Sequence, residues 1–224
     1  MNNYDKVKDL LGFKTNSEKQ SNYAGKKFTA GYHELTIGGE RLEGQRNPSA
    51  RIESLNIDFT NKSVLDIGCN AGGILFDLQD KIKYGLGVDY DYKIINFANK
   101  VARTENYKNL DFYTVDLNND NFSVINNYSD QEQKFDVIFL LAVCMWIDTW
   151  EELIEWTRKN CEICVFESNG KPKQQDKQLA KLQQVYNSVE LINGNSADDD
   201  HYLKNDIAGV KRKNHPLRKL YICR

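Results

Sequence analysis

Apolar residues along this chain fall in short continuous runs, separated by stretches where they recur at helical spacing. That alternation predicts an α/β fold with a parallel sheet between helices. Val64, Leu65 and Ile67 build a buried strand that runs into V-L-D-I-G-C-N-A-G-G at Val64–Gly73, where Gly68, Gly72 and Gly73 let the backbone turn sharply. Ile74-Leu75-Phe76 supplies the apolar face of a helix over 72–81 that folds back on the sheet. A strand over 84–89 ends in Asp89, and a helix over 92–103 carries Ile94, Ile95, Ala98 and Val101 at helical spacing. A strand over 110–115 comes next, then Phe135–Val143, almost wholly apolar as a central strand buried on both faces should be. A helix over 149–159, a strand over 162–167 and a helix over 176–186 complete the alternation, and Val189–Leu191 with Leu220–Cys223 forms a final antiparallel pair.

The N-terminal part reads differently. Met1–Ala30 is polar apart from an amphipathic piece at Val7–Phe13, which is either a frayed terminus or a lid. Tyr32–Ile37 and Arg41–Leu42 form a hairpin around Gly38-Gly39, and a short helix at Ala50–Leu55 leads into the first core strand. Residues 1–55 are thus expected to form a lid and hairpin belonging to the same unit as the 56–224 domain. Asn193–Leu217, with its Asp198–Asp200 and Lys211–Lys213 runs, reads as an exposed loop.

Composition narrows the class. At 224 residues and 40% hydrophobic content the chain buries one sizeable core, and a net charge of −2 carries no global polyelectrolyte signature for nucleic acid. No apolar run reaches membrane-spanning length, and M-N-N-Y-D-K lacks a signal-peptide core. Five scattered cysteines fit a reduced, cytoplasmic setting. Cys161-x-x-Cys164 heads an apolar strand with no second pair, so it reads as core rather than as a metal site.

The chemistry gathers at the strand ends. A strand, glycine-rich turn and helix bring backbone N–H groups to a nucleotide-like ligand. The spacing is not G-x-G-x-x-G, because Asn70 stands where the middle glycine would be, and no Gly-Lys-Ser/Thr follows. Asp89, at the end of the second strand, sits where a carboxylate accepts hydrogen bonds from both ribose hydroxyls.

From Asn61 to Arg224 these residues resemble the class I S-adenosylmethionine (SAM)-dependent methyltransferase family. The resemblance implies a Rossmann-like, doubly wound, mostly parallel seven-stranded sheet with a C-terminal antiparallel strand pair and an N-terminal cap or hairpin. V-L-D-I-G-C-N-A-G-G looks like the family's first motif, placing Asp66, Gly68 and Gly72 along the methionine part of SAM, with Asn70 replacing a usual glycine. G-V-D-Y looks like the second, with Asp89 on the ribose and Tyr90 beside adenine. V-D-L looks like the third, with Asp116 facing the adenine amino group and Leu117 next to it. F-D-V-I-F-L-L-A-V-C-M-W-I looks like the fourth, with Leu141 and Ala142 near the transferable methyl. Many relatives carry a histidine pair after that strand; here Met145 and Trp146 stand there.

Acid–base candidates are few: His33 in the hairpin and Glu167 at the end of the fifth strand. Arg46 and Arg51 have the chemistry to pair with the methionine carboxylate of SAM or with an anionic acceptor, Arg51 being placed with the cofactor and Arg46 with the substrate. Tyr32, Met145 and Trp146 complete the expected acceptor wall. Lys211–Lys213 with Arg218 and Lys219 makes a local basic patch that suits RNA phosphate. The fourth strand is followed by no Asn/Asp-Pro-Pro-aromatic motif, and it lacks the Asp and paired lysines that relatives use on RNA ribose. Methylation of an oxygen on a small-molecule or saccharide acceptor is therefore the leading reading. A tRNA-modifying enzyme ranks second, on a faint likeness of G-Y-H-E-L-T-I-G-G to a Tyr-His entry segment. A non-catalytic SAM-binding regulatory protein ranks third, resting on the missing histidine pair.

Overall fold

The structure, a computed structural model, describes residues 3–11, 22–23, 26–129, 134–193 and 218–224. After a helix at Asn3–Leu10, β1 (Asn22–Tyr23) and β2 (Lys26–Lys27) pair antiparallel. Four short strands follow: β3 (Gly31–His33), β4 (Leu35–Ile37), β5 (Glu40–Leu42) and β6 (Gly44–Arg46). β4 and β5 form the expected hairpin, and Gly38 and Gly39 both take positive φ at its tip. The strand expected over Tyr32–Ile37 divides at Glu34, because β3 leaves the hairpin and pairs in parallel with β6, setting His33 beside Arg46. Gly44 permits this approach: a Cβ there would lie 2.0 Å from the Glu34 nitrogen. The helix that follows, Pro48–Ser54, starts two residues earlier than expected, with Pro48 in its first turn and the Asn47 side chain accepting from the Ala50 N–H at 3.2 Å.

The central sheet comprises β7 (Ser63–Ile67), β8 (Tyr84–Asp89), β9 (Leu110–Thr114), β10 (Phe135–Leu141), β11 (Cys161–Glu167), β12 (Val189–Asn193) and β13 (Leu220–Cys223). Its order is β12-β13-β11-β10-β7-β8-β9, parallel throughout except that β13 runs antiparallel to both its neighbours. The chain moves outward from β7 to β9 and then restarts at β10 beside β7. A crevice opens at the carboxyl ends of the strands where the order reverses in this way.

Alternation along the strands fills both faces. Val64, Val137 and Phe139 pack with Ile74, Leu75, Leu78, Ile95 and Ala98 on one side. Leu65, Ile67, Ile138 and Leu140 pack with Leu153, Ile154 and Leu182 on the other. A third cluster joins Val7, Leu35, Ile37 and Leu42 to Ala71, Ile94, Phe97 and Val101. It seats the N-terminal helix and hairpin on the Tyr92–Glu105 helix and on the glycine-rich turn.

Element ends differ from expectation for local reasons. β10 stops at Leu141 because Ala142 turns left-handed, with φ 56. The helix expected over 176–186 runs Pro172–Val185, opened by a proline and by Gln174, whose side chain accepts from the Lys171 N–H. The 194–217 loop, with Asp198–Asp200, His201, Lys211–Lys213 and His215, lies outside the described residues, as does the end of the Val7–Phe13 piece. No helix among the described residues is long and apolar enough to cross a membrane.

Candidate functional site

β7 carries Asp66 into the crevice end, 2% exposed, and its Oδ2 has no hydrogen-bond partner among the described residues. Burial, then the Asp89 charge, pushes this carboxyl up to about 7, against the pull of Arg51. Gly68, Asn70 and Gly72 then take left-handed backbone, with φ of 76, 50 and 81. Neighbours dictate two of these glycines: a Cβ on Gly68 would lie 2.6 Å from Val143 Cγ2, and one on Gly72 2.8 Å from Phe112 Cε1. Asn70 holds the same conformation by accepting from the Ala71 N–H through its own side chain, at 2.8 Å.

Asp89 ties this turn to β8. Its Oδ2 accepts from the Asn70 N–H at 2.9 Å and its Oδ1 from the Asp91 N–H at 3.0 Å, and burial raises its pKa against those two bonds. Each oxygen keeps a further acceptor position for a ligand hydroxyl. Tyr90, adjacent, is 70% exposed, an unusual setting for a large ring and one that suits stacking on a planar base. Asp116 lies past β9, its two oxygens accepting from the Asn118 N–H (3.1 Å) and the Asn119 side chain (2.7 Å). Leu117, next to it, is buried in the core with Val115 and Ile125.

The end of β10 is held by a buried polar network. The Ala142 N–H donates to the Glu167 carbonyl at 3.0 Å, and Asn169 donates to the Ala142 carbonyl while accepting from the Met145 N–H. Gln178 brackets Asn169, donating to its carbonyl and accepting from its N–H, both at 3.1 Å. Left-handed backbone at a non-glycine residue costs roughly 1–2 kcal/mol, and such strain clusters at functional sites. Met145 and Trp146 follow in a short 3₁₀ turn with their side chains exposed. Asn118 crosses from the β9 loop to clasp that turn, donating to the Trp146 carbonyl and accepting from the Asp148 N–H, both at 2.9 Å.

A charged cluster closes the β11 end. Glu167 is fully buried, with Arg51 Nη2 2.5 Å from its Oε2 and Arg218 Nη1 3.1 Å from its Oε1. Arg218 also donates to the Tyr32 hydroxyl at 3.3 Å, and the Arg46 guanidinium lies 5.8 Å from the Tyr32 ring centre. The His33 ring sits 4.9 Å from that of Tyr32, and the side chain packs against Gly73, where a Cβ would lie 2.7 Å from the His33 Cβ and 3.0 Å from the ring. Two expectations change here. Arg218 turns inward to Glu167, out of any basic surface patch. Glu167 has both oxygens committed to guanidiniums, which leaves it poorly arranged as a base for an acceptor.

The crevice therefore collects Asp66, Gly68, Asn70, Gly72, Asp89, Tyr90, Asp116, Leu141, Ala142 and Arg51 from the ends of adjacent strands and their flanks, with Tyr32, His33, Arg46, Met145 and Trp146 around the β10–β11 end. Arg218, Asn169 and Gln178 join them without having been expected. The 175/178 glutamine pair at i, i+3 was the available signal, since both side chains are buried on a helix face that also carries Leu182. A nucleotide-like cofactor fits this arrangement: an unpartnered buried carboxylate oxygen, a doubly anchored acidic residue and an exposed aromatic ring lie along successive strand ends.

The model of a methyltransferase domain matches residues 58–220. The chain belongs to that family. The class I SAM-dependent methyltransferase expectation holds at this level, and the sheet order carries the same Rossmann-like fold. A putative methyltransferase, 235L, of Invertebrate iridescent virus 6 is 31% identical over 90 residues, covering 39% of this chain and 29% of the viral protein. The N-terminal domain of EvdMO1, solved in the presence of SAH and D-fucose, superposes with a TM-score of 0.64 at 11% identity, covering 100% of this chain and 97% of that domain. This chain matches 47% of the longer EvdMO1 structure. A TehB-like SAM-dependent methyltransferase from Corynebacterium glutamicum matches at TM-score 0.51 and 19% identity, over 79% of this chain and 86% of that one.

Asp66 makes the stability of the protein pH-dependent. Its carboxyl titrates near 3.8 when unfolded and near 7 when folded, so the folded state keeps a proton the unfolded chain has lost. Stability contributed below about pH 4 is lost as pH rises to about 7. Over that window the urea unfolding midpoint of Asp66→Asn, without cofactor, should rise relative to that of the wild type at each successive pH. Equal slopes would remove Asp66 as the cause.

Proposed function

We propose that this methyltransferase moves a methyl group from SAM, by in-line displacement, to an oxygen of a small-molecule or saccharide acceptor. When bound, SAM supplies an electrophilic methyl on a sulfonium. In-line displacement then asks the protein to orient two partners and exclude water. Asp89 takes the ribose hydroxyls, Tyr90 and Asp116 the adenine, and the Gly68–Gly72 turn with Asp66 and Arg51 the methionine part. The Leu141–Ala142 strand end, fixed by Asn169, faces the methyl. Tyr32, Arg46, Met145 and Trp146 receive the acceptor. With Glu167 held between guanidiniums, His33 stays as the candidate to take the acceptor proton.

The observation that carries the acceptor class is the wall at the β11 end, where Arg46 and Arg218 gather on Tyr32, and Glu167, the ion-pair partner of Arg218, accepts through its carbonyl from the Ala142 N–H that leads into the Met145–Trp146 turn. Hydrogen-bonding groups beside exposed apolar rings suit a polyhydroxylated ligand. The D-fucose present with the EvdMO1 domain supports the same class, since that domain matches this chain from end to end. Incubation with methyl-labelled SAM and fractionated cell extract should put base-stable label into the small-molecule or saccharide fraction. Label found only in RNA or only in protein would overturn the acceptor assignment.

A further inference from the structure

β9 and β10 are separated in the sheet by β7 and β8, yet one side chain joins the loops that follow them. Leu117 and Cys144, one from each loop, are buried in the same apolar cluster, and Ile147 packs against it. Ile147 is extended, with φ −111 and ψ 121, so the Trp146 carbonyl and the Asp148 N–H lie along one edge of the chain. The Asn118 amide complements that edge, offering one donor and one acceptor, each bond 2.9 Å long. Both bonds are exposed, where water competes and each adds little to folding. Their effect is geometric: they hold the end of a turn that presents the exposed side chains of Met145 and Trp146. Asn169 holds its start, accepting from the Met145 N–H at 3.0 Å.

The backbone of Asn118 is tied to the other half of the site. Its N–H donates to Asp116 Oδ1 at 3.1 Å, and the Asn119 side chain donates to Oδ2 at 2.7 Å. The Asp116 N–H in turn donates to the Asp120 carboxylate at 2.8 Å. On the reading given above, in which Asp116 meets adenine and Trp146 the acceptor, we propose that Asn118 is a positioning residue that relays donor binding to the acceptor wall. Adenine seated on Asp116 steadies the 116–120 loop, and the Asn118 amide passes that order to the turn at Cys144–Trp146. The acceptor then meets a wall already ordered, so it binds better after the donor than before it. By linkage, a bound acceptor tightens SAM by the same factor. The relay needs an amide, because a carboxylate of the same size has no donor for the Trp146 carbonyl.

The test reads Trp146 directly. In the full chain W150F/W156F leaves Trp146 as the one tryptophan, and acrylamide quenching of its fluorescence is measured with and without saturating SAH. SAH should lower the quenching, and N118A and N118D should each abolish that effect. SAH affinity in N118A should stay within about fivefold of its parent, the low end of coupling between sites. Where W150F/W156F folds poorly, the difference between wild type and W146F carries the same signal, as does that between N118A and N118A/W146F. Bound SAH that leaves the quenching unchanged overturns the proposal. So does an SAH effect that survives in N118A, since the cofactor then reaches Trp146 without Asn118. A larger loss of SAH affinity in N118A also overturns it and makes Asn118 a cofactor ligand. Failure of the wild type to bind SAH overturns the methyltransferase reading itself, and this proposal with it.

Discussion

Glu167→Ala is expected to remove about 3–5 kcal/mol of folding stability, measured by urea unfolding at neutral pH. Glu167 is fully buried and is the carboxylate bonded to both Arg51 and Arg218, of which Arg51 is itself almost completely buried. Deleting one partner of a buried ion pair leaves the other charge in low dielectric without its counter-charge. That penalty exceeds what the intact pair contributes over an apolar substitute. Glu167→Gln keeps the shape and one acceptor oxygen, so it should fall between wild type and alanine. The competing role, a base for the acceptor, makes the opposite forecast: turnover collapses while the unfolding midpoint stays put. A Glu167→Ala midpoint indistinguishable from wild type, together with lost methyl transfer, would return Glu167 to the catalytic candidates. The same substitution should also loosen Tyr32, because Arg218 reaches that hydroxyl from its seat on Glu167.

The core of the fold was legible because its signals are local. Continuous apolar runs at 64–67, 84–89 and 135–141 mark strands buried on both faces, and the left-handed positions of the turn after β7 fall on Gly68, Asn70 and Gly72, the residue types that adopt that backbone most readily. The acidic ends at Asp66, Asp89 and Asp116 follow from the same strand register. The β11 end was less legible because its partners are assembled from afar. Arg218 meets Glu167 across 51 residues and Tyr32 across 186, and nothing in the local sequence of a lysine- and arginine-rich stretch separates an inward arginine from a solvated one. The division at Glu34 was hidden for a similar reason. Tyr32–Ile37 alternates like one strand, and only the approach of Gly44 shows that β3 pairs elsewhere.

Asp89→Ala should abolish measurable SAM binding, the largest functional effect expected of any single substitution here. Two charge-assisted hydrogen bonds to ribose hydroxyls are worth about 1.5–3 kcal/mol each, so their joint loss weakens binding by roughly 10²- to 10⁴-fold. The substitution also strips the Asn70 and Asp91 N–H groups of their acceptor, which frees the left-handed turn at Gly68–Gly72. Affinity alone does not separate these two causes. Comparing SAH with its 2′-deoxy analogue does: if Asp89 holds the ribose, wild type prefers SAH and the variant treats the two ligands alike, the signature of a direct pairwise interaction. If Asp89 only anchors the turn, both ligands weaken by the same factor and the preference survives. Asp89→Asn sharpens the distinction, since an amide offers one acceptor where the two backbone N–H groups need two, and its NH₂ must face one of them. Asp89→Asn should therefore bind SAH far more weakly than wild type despite its matching size. A variant that keeps wild-type affinity at either substitution would refute the placement of the ribose at the end of β8.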